Sequence, residues 1–217
     1  MGDRQTVSSD RTDSALFCAA TEFIDCDQPA IAELARSLQQ ADARATAIAL
    51  FNWVRDHIRY DPYTALDGRR QYRASAVLER GRGYCVQKAV LLAALARACG
   101  IPARLGFADV RNHKVPPSLR QVMGTDLFVF HGYVELLLDG RWVKATPAFD
   151  PHTTAKAGAL LVELDGEHDA TLHPVDPAGA PHIEYVRDRG SYADVPFEEM
   201  QQVFAEVYGF SQAVDRG

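Results

Sequence analysis

The chain has 217 residues, 47% of them hydrophobic, enough to bury a core of ordinary domain size. Its net charge of −6, with no basic run to offset it, excludes a general nucleic-acid binder, because phosphate contacts need an electropositive face. No apolar stretch is long enough to span a membrane and the first residues lack the apolar run of a secretory signal, so a cytoplasmic protein acting on polypeptides or small molecules is expected.

Residues 1–15 read as a polar, poorly ordered lead-in. From Pro29, a short helix places Ile31, Leu34, Ala35 and Leu38 on one face. A longer amphipathic helix follows through ADARATAIALFNWVRDHIRY, carrying Ala45, Ile48, Ala49, Phe51, Trp53, Val54 and Ile58. Pro62 and Gly68 mark a loop, and Ser75 is placed to cap a short turn over Ala76, Val77 and Leu78. Between Val86 and Cys99 nearly every position is apolar, which predicts a helix buried on all sides. Gly100 and Pro102 stop it.

ARLGFADV then reads as a strand, and NHKVPPSLRQVMGTD, with its double proline, as a surface loop. LFVFHGYVELLLDGRWVKATPAFD reads as a hairpin turning at Asp139-Gly140. That turn pairs Leu138 with Arg141 and sets Glu135 opposite Lys144, a favourable cross-strand pair. Phe130, Val134, Leu136, Val143, Ala145 and Phe149 then form the core face; His131, Tyr133, Glu135, Leu137, Trp142, Lys144 and Thr146 form the other. ALLVEL and HIEYV read as further strands. FEEMQQVFAEVYG closes the chain as an amphipathic helix with Phe197, Met200, Phe204, Val207 and Tyr208 on one face. Helices first and strands after predict an α+β class with a mainly antiparallel sheet.

Four cysteines, Cys18, Cys26, Cys85 and Cys99, show no CxxC spacing. At 1.5 Å per residue the ends of one 85–99 helix lie about 21 Å apart, too far for a disulfide. Free thiols in a reducing compartment are expected. Free cysteine usually behaves as a small hydrophobe, and Cys99 inside the apolar run reads that way. Cys85 sits differently. It opens the helix behind Gly81 and Gly83, where backbone N–H groups and the positive end of the dipole favour thiolate and can hold an oxyanion.

A thiol nucleophile needs a base, and of seven histidines the hairpin singles out His131, on a firm strand and on a mixed face. A third group should orient the imidazole. On the same face Ala148 lies opposite His131, with Thr146 and Asp150 as diagonal neighbours. Only Asp150 carries a charge. His168, His173, Asp176 and His182 could supply metal ligands but lack the regular spacing of a helix-borne pair, so no metal and no cofactor are expected. Neither a phosphate-cradling glycine loop nor a GxSxG elbow is present.

GYCVQKAVLLAALARACGIPAR followed by HGYVELLLDGRWVKATP resembles the transglutaminase-like superfamily, over about residues 48–150. The resemblance implies a papain-like thiol fold in one domain over 16–217, its core at about 48–150 and a C-terminal extension at 151–217. By that resemblance Cys85 is the nucleophile and His131 the base. The family's usual aspartate, before the proline that follows the tryptophan, is here Thr146; either Asp150 replaces it or the triad is incomplete, as in a divergent bacterial-type branch. The implied function is a Cys85-His131-Asp150 hydrolase (peptidase or amidase) or acyl transferase working through a thioester on a polypeptide or small amide. The alternative is a non-catalytic peptide- or protein-binding module on the same fold. The sequence does not indicate an oligomeric state.

Overall fold

The computed structural model describes residues 15–64 and 68–209, so the lead-in expected over 1–15 falls almost wholly outside the described residues. Helices α1 (Pro29–Leu38) and α2 (Ala43–His57) come first. Asp42 caps α2 by accepting from the Ala45 N–H at 2.7 Å. Its buried face is Thr46, Ala47, Leu50, Phe51, Val54 and Arg55. The expected Ala45, Ile48, Ala49 and Trp53 are only half-buried, and Trp53 stacks on His57. Phe51, Val54 and Ile58 are buried as expected, and Ile48 and Trp53 pack against the edge of the core.

Strand β1 (Arg59–Tyr60), a 3-10 turn (Arg69–Tyr72), helix α3 (Ala74–Arg80) and strand β2 (Arg82–Gly83) lead to α4 (Cys85–Ala98). Ser75 does not cap α3. Its N–H and hydroxyl instead donate to Asp25, at 3.0 and 2.5 Å, so the capping carboxylate comes from fifty residues upstream. β1 and β2 pair in parallel, Arg59 with Arg82 and Tyr60 with Gly83. This two-residue pairing carries the end of α2 to the start of α4.

Helix α4 is buried on every side from Cys85 to Arg97, as its composition predicts. Gly100, at φ 74°, adopts the left-handed conformation that ends it. Arg97 is buried near that end and is satisfied by the carbonyls of Ala19, Ala103 and Ala193, tying three distant segments to the helix.

The sheet is antiparallel, in the order β5-β4-β3-β6, from β3 (Ala103–Asn112), β4 (Leu127–Leu138), β5 (Arg141–Ala145) and β6 (Ile183–Tyr192). The hairpin register is the expected one, with Leu138 opposite Arg141 and Glu135 opposite Lys144. Its charges pair otherwise: Glu135 takes Arg104 of β3 at 2.5 Å, and Lys144 lies over the Tyr133 ring. The expected loop before β4 contains a helix, α5 (Pro117–Met123), with Pro117 in its first turn and Gly124 as its left-handed stop. The second proline therefore starts an element rather than extending a loop.

ALLVEL is not a strand. Residues 159–164 form no strand, and the Val162 carbonyl is taken by the Arg55 guanidinium at 2.9 Å. The segment then bridges to β5 at Ala170 and returns into β6. Helix α6 (Pro151–Ala157) lies between β5 and this segment, and α7 (Phe197–Tyr208) closes the described chain with Met200 and Phe204 in the core. Among the described residues no helix is long and apolar enough to cross a membrane.

Candidate active site

The site begins with the start of α4. Tyr84 is extended at the N-cap, and its N–H donates to the Gln87 side chain at 3.2 Å. A Cβ on Gly83 would meet the Gln87 Cβ at 2.9 Å, so a glycine is what lets the chain lie this close to the first turn. One turn on, Lys88 is fully buried and donates to the carbonyls of Arg55 at 3.1 Å and Ile58 at 2.6 Å. These carbonyls end α2, where a cation meets the negative end of the helix dipole. Burial pushes the Lys88 ammonium down to about 7. The end of α4 that presents Cys85 is therefore pinned to α2 from within.

Cys85 is 8% exposed. Its thiol faces the backbone N–H groups of Gly132, Val86 and Cys85 itself, which favour the anion, yet burial outweighs them and pushes its pKa up to about 11. The lowered thiol pKa expected from the helix terminus does not appear, because the sulfur is desolvated by the strand packed over it. That packing is close. A Cβ on Gly132 would lie 2.8 Å from the Val86 Cα. The backbones of β4 and α4 thus touch at residues 132 and 86, one position from His131 and from Cys85. β5 has ended at Ala145, opposite Val134, so no β5 residue pairs with β4 at the thiol's level.

Gly132 faces α4, and strand alternation turns His131 to the other side. His131 pairs with Ala108 of β3 and is 4% exposed. Its ring meets Tyr185 of β6 edge-on at 6.2 Å. Nε2 is buried without a hydrogen-bond partner among the described residues, and burial pushes the imidazole down to about 4. Thr146, in the position of the family aspartate, is likewise buried with its Oγ1 unpartnered, close to the Tyr185 hydroxyl but outside bonding geometry. Cys85 and His131 flank one backbone contact, and no hydrogen bond joins them among the described residues.

Asp150 is buried but directed elsewhere. Oδ1 accepts from the Thr153 N–H at 2.7 Å; Oδ2 accepts from the Tyr60 N–H at 2.8 Å and the Thr153 hydroxyl at 3.0 Å. Burial opposes this carboxylate, but those donors and the nearby Lys88 ammonium outweigh it and hold its pKa below the usual range. It caps α6 and fixes β1, and makes no bond to His131. The physical reason lies in Pro147 and Pro151: the chain leaves the strand path after Ala145 and turns into a helix, so the expected same-face register does not extend to residue 150.

Three contributors escape a reading by motif. Lys88 is visible as a cation within the first turn of an otherwise apolar helix, Gly132 as a glycine inside a strand, and Tyr185 not at all. Among the described residues no group of three or more His, Cys, Asp or Glu side chains could hold a metal ion. His168 bonds Asp165, and His173 bonds the Leu161 carbonyl.

The fold resembles a candidate cysteine protease from Cytophaga hutchinsonii, at 19% identity and a TM-score of 0.50, over 83% of this chain and 54% of that one. A candidate protease from Parabacteroides distasonis aligns at 14% identity and a TM-score of 0.41, over 75% of this chain and 32% of that one. The chain thus spans about half the length of the first structure and a third of the second. No curated protein matches it. The family model described as the transglutaminase-like superfamily matches residues 32–147, from α1 through the α4 helix and the hairpin. Because that match takes in more than half of the sequence and both elements that carry the thiol and the imidazole, the chain belongs to the transglutaminase-like superfamily.

Proposed function

We propose that the protein is a thiol-dependent hydrolase of amide bonds, a peptidase or amidase, with Cys85 as nucleophile and His131 as general base and acid. The observation that supports this reading is that the backbone N–H groups of Gly132, Val86 and Cys85 lie near the sulfur and favour its anion. Donors fixed in a dry site stabilise the oxyanion formed when a thiol adds to a carbonyl. With the thiol held up at about 11 and the imidazole down at about 4, the resting pair is neutral.

Among the described residues no hydrogen bond joins the two and His131 lies on the far face of β4, so the Cys85 proton passes to it through one water as sulfur attacks the carbonyl carbon, rather than beforehand. Collapse of the tetrahedral intermediate breaks the C–N bond, and His131 returns the proton to the leaving amine. Water then attacks the thioester, giving its proton to His131, and the acid is released as the thiol re-forms. An amine in place of water makes the same site an acyl transferase. Asp150 takes no part in proton transfer in this scheme; it supports the Tyr60 and α6 wall of the site.

The second reading, a non-catalytic peptide-binding module, draws on Thr146 in place of the family aspartate and on the absence, among the described residues, of a carboxylate bonded to His131. One experiment separates the two. The protein is incubated with p-nitrophenyl acetate and analysed by mass spectrometry. A hydrolase acquires one acetyl group on Cys85, Cys85→Ser acquires none there, and His131→Ala acquires it at least ten times more slowly. Acetylation of Cys85 at the same rate with and without His131 would sink the catalytic reading.

A further inference from the structure

Beside His131, three of the four strands, β4, β3 and β6, lose their regular register at the same point. Between the pairs Ala108–His131 and Val110–Phe128, β4 places two residues, Val129 and Phe130, against the single Asp109 of β3. On the other side of β3, Gly190 pairs with Phe107 and Asp188 with Ala108, leaving Arg189 as an extra residue in β6. Phe130 takes φ 53°, the left-handed region that a bulky side chain avoids. A bulge of this kind re-aims the side chain that follows it, here His131.

Such a conformation persists only where its surroundings over-determine it, and here they do. Asp109 accepts the Phe130 N–H on Oδ1 at 3.1 Å. Arg189 grips the same carboxylate with both arms, Nε to Oδ1 at 2.5 Å and a terminal nitrogen to Oδ2 at 2.9 Å. Its guanidinium also lies 4.3 Å from the centre of the Phe130 ring. Both side chains of the pair are only 8% exposed. The two extra residues of the neighbouring strands thus meet over one carboxylate, and that carboxylate holds the backbone of the residue before the imidazole.

We infer that Asp109 and Arg189 are positioning residues: their buried pair locks the Phe130 bulge and thereby sets the direction of His131. Neither touches the reacting atoms. A pair kept only for stability would sit as well on any part of the sheet, whereas this one binds the strained residue adjacent to the base. Asp109 supplies the acceptor that the Phe130 N–H needs, and Arg189 supplies charge and a flat face for the ring. Asparagine at 109 keeps the acceptor, and lysine at 189 keeps the charge but loses the fork and the stacking.

The role of His131 rests on the function proposed above, so the test has a readout independent of it. Imidazole 1H–13C spectra of the full chain resolve its histidines, and the His131 signal is assigned by its loss in His131→Ala. In Asp109→Ala and Arg189→Met the His131 signal is expected to move or broaden while those of His57, His113 and His168 stay in place. Asp109→Asn and Arg189→Lys, which retain part of the clamp and are less prone to misfold, should give smaller shifts in the same direction. Acetylation of Cys85 by p-nitrophenyl acetate should slow roughly 10²-fold in Asp109→Ala, as expected for a reacting group displaced by about 1 Å, and recover partly in Asp109→Asn. A His131 signal unmoved in the folded variants, or moved no more than the other histidines, overturns the inference. If His131→Ala itself leaves acetylation unchanged, the proposed function fails, while the spectra still decide the positioning.

Discussion

The contact between Gly132 and Val86 is the structural joint on which the site depends, and Gly132→Ala tests it directly. The added Cβ would lie 2.8 Å from the Val86 Cα and 3.0 Å from its Cγ2. Carbon atoms pack at about 3.5–4.0 Å, so β4 and α4 must separate by about 1 Å, and backbone cannot rotate out of the way as a side-chain tip can. Overpacking of this kind costs about 1–3 kcal/mol. In a chain of this size that lowers Tm by roughly 5 °C. The same displacement separates Cys85 from the Gly132 N–H and from His131, and a 1 Å misplacement of reacting groups costs about 10²-fold in rate. Urea denaturation gives the stability and acetylation of Cys85 gives the rate. Gly140→Ala is the control: Gly140 has φ 78° and open space around it, at the far end of the hairpin. It should lose about 1–2 kcal/mol to strain with acetylation unchanged. A Gly132→Ala protein within about 0.5 kcal/mol of the parent, a change typical of a neutral surface site, and acetylated at the parent rate would refute the argument.

Other outcomes follow from the same geometry. His131 has a folded pKa of about 4 against 6.5 free, so as pH falls from 6.5 towards 4 the unfolded chain takes up a proton that the folded one refuses. Stability should drop by about 3 kcal/mol across that window, and urea titrations of His131→Asn should be flatter there. At the alkaline end the folded Cys85 thiol keeps its proton beyond its free value of 9.0, to about 11, so stability should decline as pH rises between those values and Cys85→Ala should lessen the decline. Iodoacetamide should label Cys85 ever faster as pH rises past 9, with no plateau near neutrality; a plateau at pH 7 would mean a preformed thiolate. Asp150→Ala should lose about 2–3 kcal/mol, from the α6 cap and the charged bond to Tyr60, with acetylation of Cys85 within a few-fold of the parent. A loss of about 10²-fold or more in a stably folded Asp150→Ala protein would instead make it the third catalytic group.

The residues around Cys85 were readable because each obeys local chemistry. A long, nearly all-apolar run predicts a buried helix, Gly100 and Pro102 end it, and Asp139-Gly140 sets a two-residue hairpin whose register follows by counting. That is why Cys85 and His131 fall on the elements expected of them. Asp150 was not readable in this way. Its face was counted along a strand that stops at Ala145, and the prolines on either side send the chain into α6 instead. Likewise ALLVEL has strand composition but joins no strand, and its Val162 carbonyl is taken by Arg55 of α2 instead.

What the order of residues determined by itself was the framework: helices, then an antiparallel hairpin sheet, with one cysteine at a helix mouth and one histidine on a strand. What only tertiary packing decided was the electrostatic state of that pair and its support. Burial is a property of neighbours distant in the chain, so the rise of the thiol comes from β4 lying on α4 and the fall of the imidazole from burial on the other face of the sheet, beside Tyr185 of β6, rather than from any motif. The bulge at Phe130 is equally a tertiary fact, because it takes Asp109 and Arg189, residues from two other strands, to hold a bulky residue in a conformation that its own side chain disfavours.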